Sequence, residues 1–141
     1  MLARQYHSKS EEETIEIGRQ IARELPRNCV VLLIGNLGAG KTTLTKGIAE
    51  ELGGTNRDDV TSPTFTLIHE YSESLYHIDL YRLDTAAEVA SLGLDDLFDR
   101  DAVVLIEWGE RCLQLVPPDR VEIRIAADGD EREISVSCTG R

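Results

Sequence analysis

Residues 29–54 constrain the fold more than any other stretch, because an apolar run, a glycine-rich turn and an amphipathic segment follow one another without a break. The run Cys29-Val-Val-Leu-Leu-Ile34 is typical of a central strand that is buried on both faces. Apolar residues recur every four positions in residues 41–52 and predict a helix, which the glycine pair at 53–54 ends. Strand, loop and helix in this order are a building unit of α/β folds.

The turn, Gly35-Asn-Leu-Gly-Ala-Gly-Lys-Thr42, matches the pattern Gly-x-x-x-x-Gly-Lys-Ser/Thr of a phosphate-binding loop, or P-loop. The glycines allow successive backbone N–H groups to face inward, and the N-terminal end of the next helix adds positive partial charge. We expect Lys41 to reach the β- and γ-phosphates and the Thr42 hydroxyl to bind Mg²⁺, with the Thr43 hydroxyl as the weaker alternative. The candidate nucleotide contacts are Gly35, Asn36, Leu37, Gly38, Ala39, Gly40, Lys41, Thr42 and Thr43.

The alternative is a chance match in a glycine-containing turn, against which the flanking strand and helix argue. The guanine-reading pattern Asn/Thr-Lys-x-Asp is absent, since Thr45-Lys-Gly-Ile48 lacks the aspartate and Thr55-Asn-Arg-Asp58 lacks the lysine. We therefore expect the bound nucleotide to be ATP.

The other segments predict a mixed sheet with helices packed on it. Strands are expected at residues 2–7, 65–71, 75–80 and 102–106, and in a C-terminal hairpin whose turn lies at 128–130. Helices are expected after capping boxes at 10–13 and 85–88, and a short apolar turn or helix is expected at 94–98. Continuous apolar strands combined with alternating hairpins predict a three-layer α/β fold of the P-loop NTPase class, with a mixed sheet and a C-terminal antiparallel hairpin. The 141 residues fit one P-loop ATPase domain that spans 1–141.

The formal net charge of −11 argues against autonomous binding of DNA or RNA, because Lys and Arg contacts to phosphates supply most of such affinity. We interpret the acidity first as a solubility feature, with a basic protein partner as the alternative. Cys29, Cys112 and Cys138 form no Cys-x-x-Cys pair, so neither a disulfide framework nor a zinc site is indicated. No apolar run suits a signal peptide or a membrane helix, and we expect a cytoplasmic protein without membrane contact.

Glu107 is the candidate for the acidic group that a P-loop enzyme needs beside its phosphates. It follows the apolar strand predicted at 102–106, and ligands collect beyond the carboxyl ends of such strands. We expect its carboxylate to hold Mg²⁺ or a water of the metal, with a solvated loop as the alternative. Trp108 beside it is more typical of packing than of function.

The segment His77-Ile-Asp-Leu-Tyr-Arg82 places His77, Asp79 and Tyr81 on one face of a strand. An ordinary half-exposed strand and a catalytic strand would both give this pattern. Asp79 is the best candidate to orient the attacking water or a metal-bound water, and Arg82 could neutralise the negative charge of the phosphates. His77 has no partner at a metal-binding spacing, which argues against zinc.

Ser62-Pro-Thr-Phe65 lies between the P-loop helix and the predicted hairpin, with a hydroxyl on each side of a stiff proline. Segments at this place in P-loop switches become ordered around the γ-phosphate and Mg²⁺. A γ-phosphate sensor and a simple turn are equally compatible with these residues.

Four motifs in this order resemble those of the bacterial TsaE (YjeE) family and cover most of the chain. They are Gly35-Asn-Leu-Gly-Ala-Gly-Lys-Thr-Thr43, Ser62-Pro-Thr-Phe65, His77-Ile-Asp-Leu-Tyr-Arg82 and Ile106-Glu-Trp108. That family is the ATPase component of the machinery that makes threonylcarbamoyladenosine in tRNA, together with TsaD and TsaB. The resemblance implies a P-loop ATPase fold, binding of ATP with Mg²⁺, weak hydrolysis in isolation and a role in cycling the TsaD–TsaB complex.

Residue by residue, the resemblance implies that Lys41 and Thr42 hold the phosphates and the metal and that Glu107 is the second metal position. It assigns Asp79 to an aspartate that is essential in the family, so that Lys41 and Asp79 are the candidate catalytic residues. The partner proteins handle the tRNA, which agrees with the acidic charge of this chain.

The resemblance also bears on residues whose own pattern is ambiguous. It places Ser62 and Thr64 in the first switch segment of the family and Trp108 near its nucleotide pocket. The family loop often has aspartate where this chain has Asn36.

A small-molecule phosphotransferase is the competing hypothesis. Little of the chain beyond the P-loop helix is available for a lid over an acceptor, and residues 85–100 are acidic with Arg100 as their one cation. Such a face would repel anionic acceptors. We therefore favour an ATP-driven switch that acts on other proteins.

Overall fold

The computed structural model describes residues 3–36, 39–53, 68–80, 85–90 and 93–139. Its strands are β1 (Arg4–Ser8), β2 (Cys29–Ile34), β3 (Ile68–Ser72), β4 (Leu75–Asp79), β5 (Val103–Glu107), β6 (Arg120–Asp128) and β7 (Glu131–Thr139). Its helices are α1 (Glu11–Glu24), α2 (Lys41–Gly53), α3 (Ala86–Ala90) and α4 (Leu94–Phe98), with a 3₁₀ helix at Gly109–Leu115.

The strands of the described ranges form one sheet in the order β1-β7-β6-β2-β5-β4-β3. The inner pairs β6–β2, β2–β5 and β5–β4 are parallel, whereas β1–β7, β7–β6 and β4–β3 are antiparallel. The predicted mixed sheet and its C-terminal antiparallel hairpin are thus confirmed. The parallel pairs bring the carboxyl ends of β2, β4 and β5 to one edge of the sheet, which is where the P-loop begins.

The sheet is covered on both faces, as the apolar run of β2 predicts. Val31 and Leu33 belong to the core beneath α1 and α2. Val30 and Leu32 belong to the core on the opposite face, which α4 helps to close. The result is the predicted three-layer arrangement of helices, sheet and helices.

Helix α1 begins at the predicted capping box. The Ser10 hydroxyl accepts a hydrogen bond from the Glu13 N–H at 3.1 Å. The Glu13 carboxylate accepts in return from the N–H of Lys9 at 2.6 Å, one residue earlier than in the usual box. Both bonds satisfy donors at the start of the helix and fix where α1 enters the helical layer.

Two glycines set the contact between α1 and α2. A Cβ on Gly18 would lie 2.4 Å from the carbonyl oxygen of Leu44, and one on Gly47 would lie 1.9 Å from that of Ile15. The helix backbones therefore approach too closely for any side chain at either position. This contact holds α2, and with it Lys41 at its first turn, against α1.

Strand β4 is not a half-exposed strand, although its alternation allows that interpretation. All five residues of Leu75–Asp79 are buried. The strand lies between β3 and β5, with Leu75 in the core beneath α1 and α2 and Ile78 in the opposite core. Polar side chains of β4 are therefore enclosed, and their positions are set by protein contacts rather than by water.

The described residues lack several features that would suggest other classes of protein. None of their helices combines the length and the apolar character needed to cross a membrane. Cys29 and Cys138 are reduced cysteines, and burial, with a smaller effect of Cys138, raises the pKa of the Cys29 thiol to about 12. The predicted strand at 65–71 is described only from Ile68 onward, because residues 54–67 lie outside the described ranges.

Candidate functional site

The P-loop begins where β2 ends and finishes in the first turn of α2. Its glycines at both ends are required by the backbone. Gly40 has a φ of +106°, in the region that favours glycine, and a Cβ on Gly35 would lie 2.6 Å from the carbonyl oxygen of Ile125. The Ala39 N–H donates to the Asn36 carbonyl at 3.0 Å, and Leu37 and Gly38 lie outside the described ranges.

Lys41 is enclosed by two residues that follow the apolar part of β5. Its side chain is 6% exposed, and Nζ lies 3.5 Å from Oε1 of Glu107. The same ammonium group lies 4.5 Å from the ring centroid of Trp108, within the range of a cation–π interaction. Leu33 and Glu107 are register partners on parallel strands, which is why the end of β5 reaches the end of the P-loop strand.

Glu107 is buried and does not begin a solvated loop. Its Oε2 lies 2.6 Å from Nε2 of His77, whose side chain is fully enclosed. Burial would raise the pKa of the Glu107 carboxyl, but the His77 hydrogen bond and the Lys41 charge outweigh burial and lower that pKa below its ordinary value. The group is therefore an ionised carboxylate at neutral pH, and each of its oxygens faces a different partner.

The hydrogen bonds continue from His77 to the edge of the sheet. Nδ1 of His77 lies 3.1 Å from the hydroxyl of Tyr71 on β3. The Tyr71 ring also contacts His69, with centroids 4.4 Å apart. A connected row, Tyr71, His77, Glu107 and Lys41, thus crosses three strands and ends at the P-loop helix.

Asp79 lies at the same edge as Glu107. The two are register partners on the parallel strands β4 and β5, and the Leu80 N–H donates to the Glu107 carbonyl at 3.0 Å. Asp79 is 3% exposed and alternates with Ile78, so its side chain is on the α1 and α2 face of the sheet, as is that of His77. The structure therefore brings the two predicted carboxylates together beside the P-loop.

Thr42 and Thr43, the predicted hydroxyls of the first helical turn, are both half-buried. Thr43 lines a cavity of about 110 Å³ together with Gly40, Ser10 and Arg132. A Cβ on Gly40 would lie 3.5 Å from Nε of Arg132, so this arginine borders the loop. The sequence analysis missed Arg132, because it lies in an ordinary alternating strand and no local motif marks it.

Trp108 has a backbone conformation that is unusual for a residue with a side chain. Its φ is +66°, the one positive φ of a non-glycine residue in the part of the chain that the structure describes. Such strain persists only where neighbouring structure enforces it, and it occurs often at functional sites. Here the turn delivers the indole to Lys41, and Gly109 follows where a Cβ would lie 2.7 Å from Cδ2 of Leu32.

Several predicted site residues cannot be placed in this arrangement. Ser62 and Thr64 of the predicted switch segment and Tyr81 and Arg82 of the β4 motif lie outside the described ranges. Their roles remain predictions.

The donors fit a small hard cation that shares its ligands with phosphate. No group of three or more His, Cys, Asp and Glu side chains in the described ranges forms a metal cage. Mg²⁺ uses no such cage, because it is commonly held by one or two carboxylates, water and substrate phosphates. The buried carboxylates of Glu107 and Asp79 and the Thr42 hydroxyl supply oxygen donors of this kind.

Comparisons with known proteins identify the family of this chain and agree with its fold. A family model described as "Threonylcarbamoyl adenosine biosynthesis protein TsaE" matches residues 8–134. The chain is 44% identical over 133 residues to the tRNA threonylcarbamoyladenosine biosynthesis protein TsaE of Bacillus subtilis (strain 168), which covers 92% of this chain and 82% of that protein. It is 40% identical over 134 residues to the protein of the same name from Treponema pallidum (strain Nichols), with coverage of 92% and 97%.

A solved structure of similar sequence has the same fold. The crystal structure of Bacillus subtilis YdiB is similar to this chain with a TM-score of 0.78 and 37% sequence identity, covering 98% of this chain and 86% of that one. At such identity, a shared fold and a family model over most of the sequence point to common descent. The chain belongs to the TsaE family of threonylcarbamoyl adenosine biosynthesis proteins.

Proposed function

We propose that this chain is the ATP-binding and ATP-hydrolysing subunit required for threonylcarbamoyladenosine modification of tRNA, and that it acts as an ATP-driven switch on TsaD–TsaB. The observation that carries the ATPase part is the buried Lys41 at the end of a P-loop, 3.5 Å from the buried carboxylate of Glu107. Family membership supports the pathway, since the curated relatives are named for threonylcarbamoyladenosine biosynthesis. The acidic charge of −11 is compatible with leaving the tRNA to the partner proteins.

The P-loop would bind the triphosphate through its backbone N–H groups and Lys41. Lys41 begins α2, so its charge and the positive end of the helix act at the same place. Trp108 supports the ammonium group from its ring face and excludes water from one side of it. Electrostatic groups fixed in advance in this way stabilise developing charge without reorganising during the reaction.

Thr42 and Glu107 would hold Mg²⁺ directly or through its water. When bound, the metal would neutralise the negative charge that develops on the phosphate oxygens. Glu107 suits this role because its pKa is lowered and its carboxylate is ionised despite burial.

Asp79 would orient the water that attacks the γ-phosphate, either directly or through a metal-bound water. Its support is its place beside Glu107 in the register of β4 and β5 and its exposure of only 3%. A carboxylate on a strand within the sheet is held more rigidly than one on a loop, and in-line attack needs a fixed water. Ser62 and Thr64 would respond to the γ-phosphate as the switch segment.

Modification of tRNA over many rounds tests this function. Purified chain is added to TsaD–TsaB with excess tRNA and threonylcarbamoyl-adenylate, with and without ATP, and the product per TsaD is counted. We expect repeated rounds only with ATP and the intact chain, and a single round when Lys41→Ala replaces it. Lys9→Ala, at an exposed lysine, is the matched control and should behave as the wild type does.

Two outcomes would contradict the proposal. Repeated rounds without ATP, or with Lys41→Ala as efficiently as with wild type, would remove the need for an ATP-driven switch. The competing phosphotransferase would hydrolyse no ATP with TsaD–TsaB and would consume it only when a small acceptor is supplied. The proposed switch should instead turn over ATP slowly alone and faster with TsaD–TsaB.

A further inference from the structure

We propose that His77 is a positioning residue of the phosphate site, because its Nε2–H holds one oxygen of Glu107 and so directs the other oxygen toward Lys41. The Tyr71 hydroxyl holds His77 in turn, which makes the edge hairpin β3–β4 part of the site. This inference rests on the proposed ATPase function and adds a residue to it. Its basis is the row of contacts from Tyr71 through His77 to Glu107.

The two contacts of Glu107 differ in strength, and the difference shows which one orients the carboxylate. The distance from Oε2 to His77 is 2.6 Å, which is a short, charge-assisted hydrogen bond. The distance from Oε1 to Lys41 is 3.5 Å, beyond the roughly 2.7–3.2 Å of a normal N–H···O bond. His77 therefore fixes the rotation of the carboxylate, while Oε1 keeps capacity for a further ligand.

The position of the imidazole proton follows from the chemistry of its partners. An ionised carboxylate only accepts hydrogen bonds, so the nitrogen that faces Glu107 must be Nε2–H. Nδ1 of His77 faces the Tyr71 hydroxyl at 3.1 Å, and a hydroxyl can donate to this nitrogen or accept from it. The hydrogen bond at the far ring nitrogen fixes the orientation of the imidazole, in the way that outer partners orient ligand histidines in metal sites.

His77 itself has little freedom to move. Its side chain is fully enclosed, and its ring lies 5.8 Å from that of Tyr71, centroid to centroid. The ladder between β3 and β4 shifts register between Glu70 and Ser72, so Tyr71 falls at the irregularity. Bulges of this kind redirect a side chain, and here Tyr71 meets the imidazole.

The rival account is a core histidine that merely satisfies its own polar atoms. On that account any substitution of His77 that keeps the fold should leave the affinities for metal and nucleotide unchanged. On the positioning account, what matters is a donor at the place of Nε2. Glutamine can carry an amide N–H to about that place, whereas leucine has no donor and the shorter asparagine cannot reach.

Binding of Mn²⁺ in the presence of ADP separates the two accounts. Mn²⁺ accepts the same oxygen ligands as Mg²⁺ and is counted directly by electron paramagnetic resonance. We expect His77→Leu to weaken Mn²⁺ binding about 10–100-fold, the usual cost of losing an outer partner, and to leave ADP affinity in metal-free buffer unchanged. His77→Gln should recover most of the Mn²⁺ affinity, and His7→Leu, on the far edge strand, should match the wild type.

Equal Mn²⁺ affinity in His77→Leu and wild type would overturn the inference, and so would an equal loss in His77→Gln and His77→Leu. If the leucine variant does not fold, His77→Asn against His77→Gln makes the same comparison. A wild type that binds no Mn²⁺ with ADP refutes the proposed function itself. Nitrogen-15 spectra of the imidazole, recorded without nucleotide or metal, should show the proton on Nε2, and a proton on Nδ1 alone would refute the assignment for His77.

Discussion

Glu107 illustrates at the scale of single residues what the sequence predicts and what it omits. Its place beside Lys41 follows from an apolar strand and the rule that parallel strands end at one edge. Its bond to His77 does not follow, because the two are 30 positions apart and strand order cannot be derived from either segment. The same holds for Arg132, whose approach to Gly40 depends on the register of the C-terminal hairpin.

The substitution Asp79→Asn separates the effect on ATP turnover from the effect on ATP binding. The amide has almost the same shape and keeps β4 packed, but it cannot accept a proton or orient water as a carboxylate does. We expect ATP affinity to stay near that of the wild type and turnover to fall by about 10²-fold or more, in the range of a lost general base. Fluorescent-nucleotide binding and phosphate release measure the two quantities, and an equal loss of both would show that Asp79 is structural.

At the scale of elements, two contacts bear on the stability of the fold. They are the crossing of α1 and α2 and the pairing of the outer strand β1 with β7. The sequence predicts α1 and α2 from their periodicity and capping residues, and the structure confirms both. The sequence does not reveal that α1 and α2 cross closely at Gly18 and Gly47. A glycine within a helical pattern does not indicate which face of the helix contacts a neighbour. The sequence also leaves open whether β4 is half-exposed, since alternation looks the same when both faces are covered.

Gly47→Ala tests the crossing. The new methyl group would meet backbone atoms of Ile15 and Arg19 at 1.9–3.0 Å, so the helices must separate. We expect a loss of unfolding free energy of about 1–3 kcal/mol or more, as for other overpacked positions. Urea denaturation measures it, and Lys46→Ala, one position earlier on the same helix, is the comparison and should stay within about 0.5 kcal/mol of the wild type. Equal costs in both variants would contradict the close crossing.

The pairing of β1 with β7 predicts a pH-dependent stability. His7 contacts Glu133 and Glu131, and these hydrogen bonds raise the pKa of His7 above its ordinary value of 6.5. A raised pKa in the folded state stabilises the fold fully below 6.5, and this contribution is lost as pH rises through the higher folded value.

Urea denaturation of wild type and His7→Gln across this pH range measures the effect. The difference in unfolding free energy between them should shrink as pH rises above 6.5. A difference that is constant, or that grows with pH, would show that the His7 contacts do not depend on protonation.

At the scale of the whole molecule, strand topology and net charge bear on the proposed function. Within the described residues, β2, β4 and β5 end at a common edge of the sheet, where Lys41, Asp79 and Glu107 lie. The overall charge of −11 gives no electrostatic support for holding tRNA alone. The family to which the chain belongs acts in threonylcarbamoyl adenosine biosynthesis, and the proposed switch would act on tRNA through other proteins of that pathway.

Isothermal titration calorimetry of the chain with ATP and Mg²⁺ tests the central claim, which is that the P-loop and Lys41 bind the triphosphate of ATP. We expect saturable binding to one site in the wild type. Lys41→Ala should weaken that binding by on the order of 2–3 kcal/mol, the range for a charged hydrogen bond, while Lys9→Ala leaves it intact. Absence of binding in a folded wild type, with TsaD–TsaB also present, or equal affinity in wild type and Lys41→Ala, would contradict the account.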